Sequence, residues 1–232
     1  SLIDRFRLAI PSPYSPPPNY RIDFPTRDQL QDFLTNNNFH SINPSVLEKV
    51  ITSTRLPLEK KARSVVLAYW KFQYKNRNDV FLTFSMINRL VDYLLRENPL
   101  IRKTLQVTYP FVFLDEFQDT TYAQYELLHS AFDGGDTIFT VVGDDKQRIM
   151  IWAGAMQEAF ERFKNEFNAK CVSLVSNWRS HQDLVRIQHV IAQRIDQYSV
   201  SPVARAKRKI NGTVSAIWEY NDDEETANGL SA

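Results

Sequence analysis

The chain has 232 residues, 43% hydrophobic, 12% aromatic and 24% charged, at a formal net charge of +1; this excludes wholesale disorder and leaves ample capacity for a buried core. No apolar run reaches the roughly 18–20 residues that span a bilayer, and the lone Cys171 rules out an internal disulfide and argues against a cysteine metal site, so a reducing, cytoplasmic setting with no membrane partner is expected. Residues 1–110 carry 16 Lys+Arg against 9 Asp+Glu, while 111–232 carry 12 against 18; a basic first half fits either a polyanion-holding surface or an ordinary solvated helical one.

Five prolines within residues 11–18 (PSPYSPPP) exclude helix and central strand and predict a polyproline II surface connector. Helical spacing follows near 27–35, 45–53 and 58–75, punctuated by Asn36-Asn37-Asn38, Pro44 and Pro57, with Trp70, Phe72 and Tyr74 as packing residues of a helical subdomain. Thr83 is placed to cap a helix whose Ile87, Leu90, Val91 and Leu94 recur every three or four residues. Asn98-Pro99 closes it and opens the next, with Asn98 as cap.

After Tyr109 the pattern changes. Phe111–Leu114, Thr137–Val142 and Cys171–Val175 are short apolar runs ending in Asp115-Glu116, Gly143-Asp144 and Ser176-Asn177. Amphipathic helices lie between them, one on Ala123, Leu127, Leu128 and Ala131, another on Met156, Ala159, Phe160, Phe163 and Phe167. This alternation predicts an α/β fold with a parallel sheet covered on both faces and ligands at the carboxyl ends of its strands. Ser180, three residues before Asp183, is placed to cap a helix through Leu184, Ile187, Ile191 and Ile195. Arg205, Lys207, Arg208 and Lys209 form a basic knot, either a solvated turn or a nucleic-acid patch; a strand at Val214–Trp218 and the acidic run Asp222–Glu225 follow.

The chemistry concentrates in FVFLDEFQDT, residues 111–120. A buried strand ending in two acids presents half-desolvated carboxylates at a sheet rim: one to hold magnesium, which keeps its waters, the next to polarise an attacking water. Taken alone, an acidic strand end is common. Residues 143–155 (GDDKQRIMIWAGA) and 174–180 (LVSNWRS) repeat the arrangement after their own strands. Together the three blocks resemble the DExQDT, GDxxQ…(W/F)xGA and LxxNYRS boxes of the UvrD/Rep family of superfamily-one DNA helicases. NPLIRKTLQ (98–106) and AQYELL (123–128) extend the resemblance, which is nearly continuous from about residue 79 to 195.

The resemblance implies an incomplete RecA-like P-loop NTPase lobe with an inserted α-helical arm and the opening of a second lobe: arm 1–78, first lobe 79–175, second lobe from 176. It implies ATP and Mg²⁺ as ligands, with Asp115 as the magnesium-side carboxylate and Glu116 as catalytic base. Gln147 would contact the γ-phosphate or its water, Arg179 would reach that phosphate from the second lobe, and Trp178 would stack on adenine. Trp152 would stack on a base of single-stranded or partially duplex DNA; packing in a core is its other reading.

The departures are equally specific. Arg148, Met150 and Ala153 stand where the family has Ser, an aromatic and Arg, and Thr83-Phe84-Ser85-Met86 replaces Asp-Phe-x-Asp. The six glycines fall at 134, 135, 143, 154, 212 and 229, so no GxxxxGK[ST] loop is present, and without its N–H donors and lysine triphosphate affinity is expected to be low. The expectation is an internal fragment, inactive alone, whose partner is the rest of the same helicase polypeptide. The alternatives are a non-catalytic helicase-like module and a nuclease-linked recombination subunit. The four histidines (40, 129, 181, 189) have no metal spacing.

Overall fold

The structure, a computed structural model, describes residues 2–23, 25–59, 64–75 and 80–206. The strand expected at Val214–Trp218, the acidic run after it, and Lys207, Arg208 and Lys209 lie outside the described residues. The chain divides into two units, Ser1–Arg162 and Phe163–Ala232, each described by itself.

The first unit opens with α1 (Leu2–Phe6), β1 (Arg21–Ile22), α2 (Arg27–Asn36), α3 (Pro44–Ser53) and α4 (Ser64–Lys75). It continues through β2 (Phe81–Leu82), α5 (Phe84–Glu97), α6 (Pro99–Thr108), β3 (Phe111–Leu114), α7 (Tyr122–Phe132) and β4 (Ile138–Val141) to α8 (Ala159–Glu166), whose last residues, from Phe163, are counted with the second unit. Local chemistry sets the helix starts. Thr26 and Thr121 each make a reciprocal capping box with a glutamine three residues on, Asn43 precedes Pro44 and accepts from Ser45 N–H, and Thr83 accepts from Met86 N–H as its position predicts. Asn98 differs from expectation: its side chain makes no cap and instead donates to Ala9 O at 3.0 Å and Leu94 O at 2.8 Å. The amide ties the end of α5 to the N-terminal segment.

One apolar core runs from Ile3 to Leu94, with Leu34, Leu47, Val66, Leu82, Met86, Leu90 and Leu94 fully buried; each such side chain contributes roughly 1.5–3 kcal/mol. Trp70 and Tyr74 belong to it, while Phe72 is 49% exposed and only leans on Phe33. The proline-rich segment is no detached connector. Tyr14 sits edge-on against Trp70 and Tyr93, its hydroxyl accepts from Leu58 N–H, and its carbonyl accepts from the Tyr74 hydroxyl. The aromatic ring carries enough apolar area to hold the segment on the core, with Pro16 buried beside it and Pro13 left exposed.

A buried charge network binds α3's exit to α5 and α7. Asp92, fully buried, accepts a bidentate pair from Arg55 (3.0 and 2.8 Å), a bond from Arg96 (3.1 Å) and one from the Ser130 hydroxyl (2.5 Å). Beside it the buried Arg89 pairs with Glu126 of α7.

The strands β3 and β4 pair in parallel, Phe111 opposite Ile138 through Leu114 opposite Val141, with α7 between them in sequence. This is the βαβ arrangement the sequence pattern predicts. Its coverage is not. Phe111, Phe113 and Ile138 are 61%, 74% and 59% exposed, so the ladder has two strands and one open apolar face rather than two covered faces.

In the second unit, β5 (Ser176–Asn177) pairs in parallel with β6 (Val203–Ala204), and α9 (Gln182–Ile195) forms the crossover. The strand expected at Cys171–Val175 forms no ladder there; pairing begins at Val175 O, which accepts from Val203 N–H at 2.7 Å, and the registered residues are 176–177. Among the described residues, nothing pairs with 171–174, and Val172 and Leu174 are 71% and 85% exposed. The helix cap is also displaced by one residue. His181, not Ser180, is the cap and accepts from Asp183 N–H, because Ser180 is turned inward and its N–H is taken by the Asn177 side chain. Of the expected α9 face Leu184 and Ile187 are half-buried and Ile191 and Ile195 exposed, while the buried residue of the helix is Val185, which lies outside that face.

Candidate active site

The carboxylates stand where β3 ends. Asp115 follows Leu114, and its Oδ1 accepts from the backbone N–H of Glu116 at 2.9 Å. Both acids are exposed, rather than half desolvated as expected, because the open sheet face leaves the strand end in solvent. Glu116 has φ +48° and ψ +43°, a left-handed backbone that for a non-glycine residue costs about 1–3 kcal/mol and persists only where neighbours enforce it. The enforcement is visible. Phe117 N–H donates to Val142 O at 3.0 Å, pulling the chain across to the end of β4, and Phe117 is buried against Phe160 and Tyr125.

Beside β4's end, Gly143 opens the second box. A Cβ there would lie 2.3 Å from Gln118 Oε1, 2.9 Å from Phe117 N and 3.0 Å from Phe160 Cζ, so only glycine fits. Gln118, 2% exposed, fills that space. Its Nε2 donates to Glu116 Oε2 at 2.7 Å, and its Oε1 accepts from Asp144 N–H at 3.1 Å.

Asp144 in turn accepts from Lys146 N–H and from Gln147 Nε2, both at 3.1 Å, and pairs with Lys146 Nζ at 3.0 Å. Burial pushes its carboxyl upward, but the hydrogen bonds from Gln147 and Lys146 outweigh that and hold it below the usual carboxylate range. Arg148, one of the departures, forms an ion pair with Asp145. The two boxes are stitched again further on, where Met156 N–H donates to Thr120 O at 2.9 Å and Thr121 bridges Ala155.

The structure thus joins Asp115, Glu116 and Gln147 through one hydrogen-bonded path. Sequence reasoning quoted Gln118, Gly143 and Asp144 inside the boxes and gave them no role; the signal available was their position between the acids and Gln147. Trp152 is 73% exposed in the turn Ile151–Ala153, with Ile149 beside it at 76%, so the core-packing reading of this tryptophan does not hold. Trp178 and Arg179 lie in the second unit, just after β5. Asn177 Oδ1 accepts from Arg179 N–H at 3.0 Å and Ser180 N–H at 2.8 Å, and this tight turn leaves both side chains exposed, Trp178 by 71%.

A cavity of about 560 Å³ lies behind the acids, walled by Leu95, Leu105, Leu114 and Leu128 with Asp115 and Glu116 at its edge. Asp119, Thr120 and Gln124 also line it, but it holds no lysine, arginine or glycine and its walls are mostly hydrocarbon, unlike a loop that cradles phosphates. Among the described residues no three His, Cys, Asp or Glu side chains gather as a metal cage. The single acid Asp115 nevertheless suits Mg²⁺, which is commonly held by one or two carboxylates, waters and substrate phosphates.

Comparison with known proteins decides the family. The UvrD/REP helicase N-terminal domain matches residues 18–168, well over half of the chain. The chain belongs to the UvrD/REP helicase family. Its relatives include a probable DNA helicase of Mycoplasma pneumoniae, 32% identical over 150 residues, which is 65% of this chain and 26% of that protein. The ATP-dependent DNA helicase Rep of Escherichia coli is 34% identical over 111 residues, 47% of this chain and 16% of Rep. The RecBCD enzyme subunit RecB of Mycolicibacterium smegmatis is 35% identical over 118 residues, 50% of this chain and 11% of that subunit. This UvrD/REP chain therefore spans between 11% and 26% of these relatives' length, and the family match covers both joined boxes. No described helix is long and apolar enough to cross a membrane.

Proposed function

We propose that this chain supplies the hydrolytic half-site of an ATP-dependent DNA helicase or translocase moving 3′ to 5′ on single-stranded DNA. The observation that carries the reading is the path Glu116–Gln118–Asp144–Gln147, which links the acids after β3 to the glutamine after β4. An incomplete RecA-like first lobe is formed by 79–175, an arm by 1–78 and the start of a second lobe by 176–232. The exposed free Cys171 fits a reducing cytoplasm.

Each side chain has a task within this reading. Asp115 faces solvent with one oxygen held by Glu116 N–H, leaving the other to accept from metal-bound water. Glu116 has Oε2 fixed by Gln118 and Oε1 open, so it can take the proton of an attacking water at Oε1. Gln147, held through Asp144, orients that water or the terminal phosphate. By the family resemblance Arg179 would supply a planar fork of donors for charge that develops on the phosphate, and Trp178 an aromatic face for the base. Mg²⁺, when bound, neutralises phosphate charge and polarises the reacting bond. Trp152 stacks on a base of the single strand, worth roughly 1–3 kcal/mol per base.

The chain contains no GxxxxGK[ST] loop, so by itself it turns over no ATP. In a helicase carrying this chain, Glu116→Gln lowers phosphate release by about 10²- to 10⁴-fold while magnesium–nucleotide affinity stays near the parent value. DNA-stimulated turnover by the 232-residue chain alone, abolished by Glu116→Gln, would overturn the claim of inactivity. The second reading, a non-catalytic DNA-binding module, is favoured by Ala153 in place of the family's arginine. An unaltered phosphate-release rate on Glu116→Gln would select it.

A further inference from the structure

We propose that Gln118 is a positioning residue: its one buried amide sets the Glu116 carboxylate and the Gln147-bearing turn against each other, so that a displacement of either is felt by the other. The inference rests on the reading of Glu116 as base, and it concerns what that base is attached to.

Gln118 lies in the turn Phe117–Asp119 and is 2% exposed. Its donor end is spent on Glu116 Oε2 at 2.7 Å and its acceptor end on Asp144 N–H at 3.1 Å. The two ends cannot be exchanged. A flipped amide would set its carbonyl oxygen against a carboxylate and its NH₂ against an N–H, losing both bonds and opposing like partial charges.

Nor can the amide retreat, because the Gly143 backbone closes on Oε1 so tightly that a Cβ there would sit 2.3 Å away. Beyond Asp144 N–H, the same residue's carboxylate grips Lys146 and Gln147. A rigid planar group bonded at both ends and confined by backbone transmits displacement, since neither bond can be kept if the ends move independently.

The linkage is tested on the full 232-residue chain, labelled with ¹⁵N, by the Asp144 amide's chemical shift and hydrogen-exchange rate in a double-mutant cycle. In the parent, Glu116→Ala shifts the Asp144 amide and speeds its exchange roughly two- to tenfold, the range expected for weakening one hydrogen bond. With Gln118→Leu already present, Glu116→Ala leaves the Asp144 amide where it was. Gln118→Met, nearer in shape, gives the same result and replaces the leucine variant if that one fails to fold. A response to Glu116→Ala that is equal with and without the Gln118 amide, or no response in the parent, overturns the proposal. A side chain that merely fills space would produce no such interaction between the two substitutions. The cycle reads no turnover, so failure of the base assignment shows separately, as phosphate release unaffected by Glu116→Gln.

Discussion

Glu116 occupies a backbone conformation that glycine would adopt freely, and Gly143 occupies one where no side chain has room. The two residues face each other across Gln118, and the site depends on that exchange of space. Gly143→Ala is expected to destabilise the chain by about 1–3 kcal/mol, the usual range for overpacking a closed site, as a lowered urea midpoint. Gly154→Ala is the control: its φ is +95° but nothing lies within 4 Å of the added carbon, so its penalty is backbone strain alone. At this scale the boxes that hold the acids and Gln147 were legible, and the structure joins those residues by hydrogen bonds. Gln118 was not legible. A glutamine within an acidic motif gives no sign in sequence that its amide is buried and doubly bonded; only the approach of β4's end to the turn after β3 reveals it.

The elements are held by a few polar contacts placed where packing alone would allow sliding. Burial acts to raise Asp92, but the hydrogen bonds from Arg55 and Ser130 and the charges of Arg55 and Arg96 prevail, leaving its carboxyl below the usual range. A carboxyl that ionises more readily folded than unfolded contributes its stability fully above the unfolded pKa, near 4, and loses it as pH falls through the lower folded value. Denaturation midpoints measured below pH 4 are expected to fall, and Asp92→Asn to flatten that acid limb. At neutral pH Asp92→Ala is expected to cost about 2–3 kcal/mol, less than breaking a wholly enclosed pair because Arg55 and Arg96 reach solvent.

The helix start at Thr83 could be read from the sequence because a cap is decided within three residues. Tyr14 could not, since its ring partners Trp70 and Tyr93 lie far along the chain. The ladder at 176–177 was misplaced for a related reason. CVSLV is apolar and β-branched, but a strand exists only where a neighbour pairs with it, and Val203–Ala204 meets the chain after that run rather than within it.

Across the whole molecule, the basic stretch before residue 111 and the acidic one after it set the expectation for DNA. Binding of oligo-dT by the chain is expected to be weak and to fall steeply with salt, by a slope of about −0.7 per phosphate neutralised. A fluorescence titration at two salt concentrations measures it, and salt-independent binding would assign the affinity to Trp152 stacking instead. The parallel ladders β3–β4 and β5–β6 add a kinetic consequence. Among the described residues Phe111 finds its partner at Ile138, and Ser176 at Val203, each after a long crossover that carries a helix. During synthesis, then, a ribosome that has released β3 but not yet Ile138 presents Phe111 and Phe113 with no backbone to pair them. Chaperone demand on nascent chains of this protein is accordingly expected to peak at lengths between these two strands and to drop once the second has emerged.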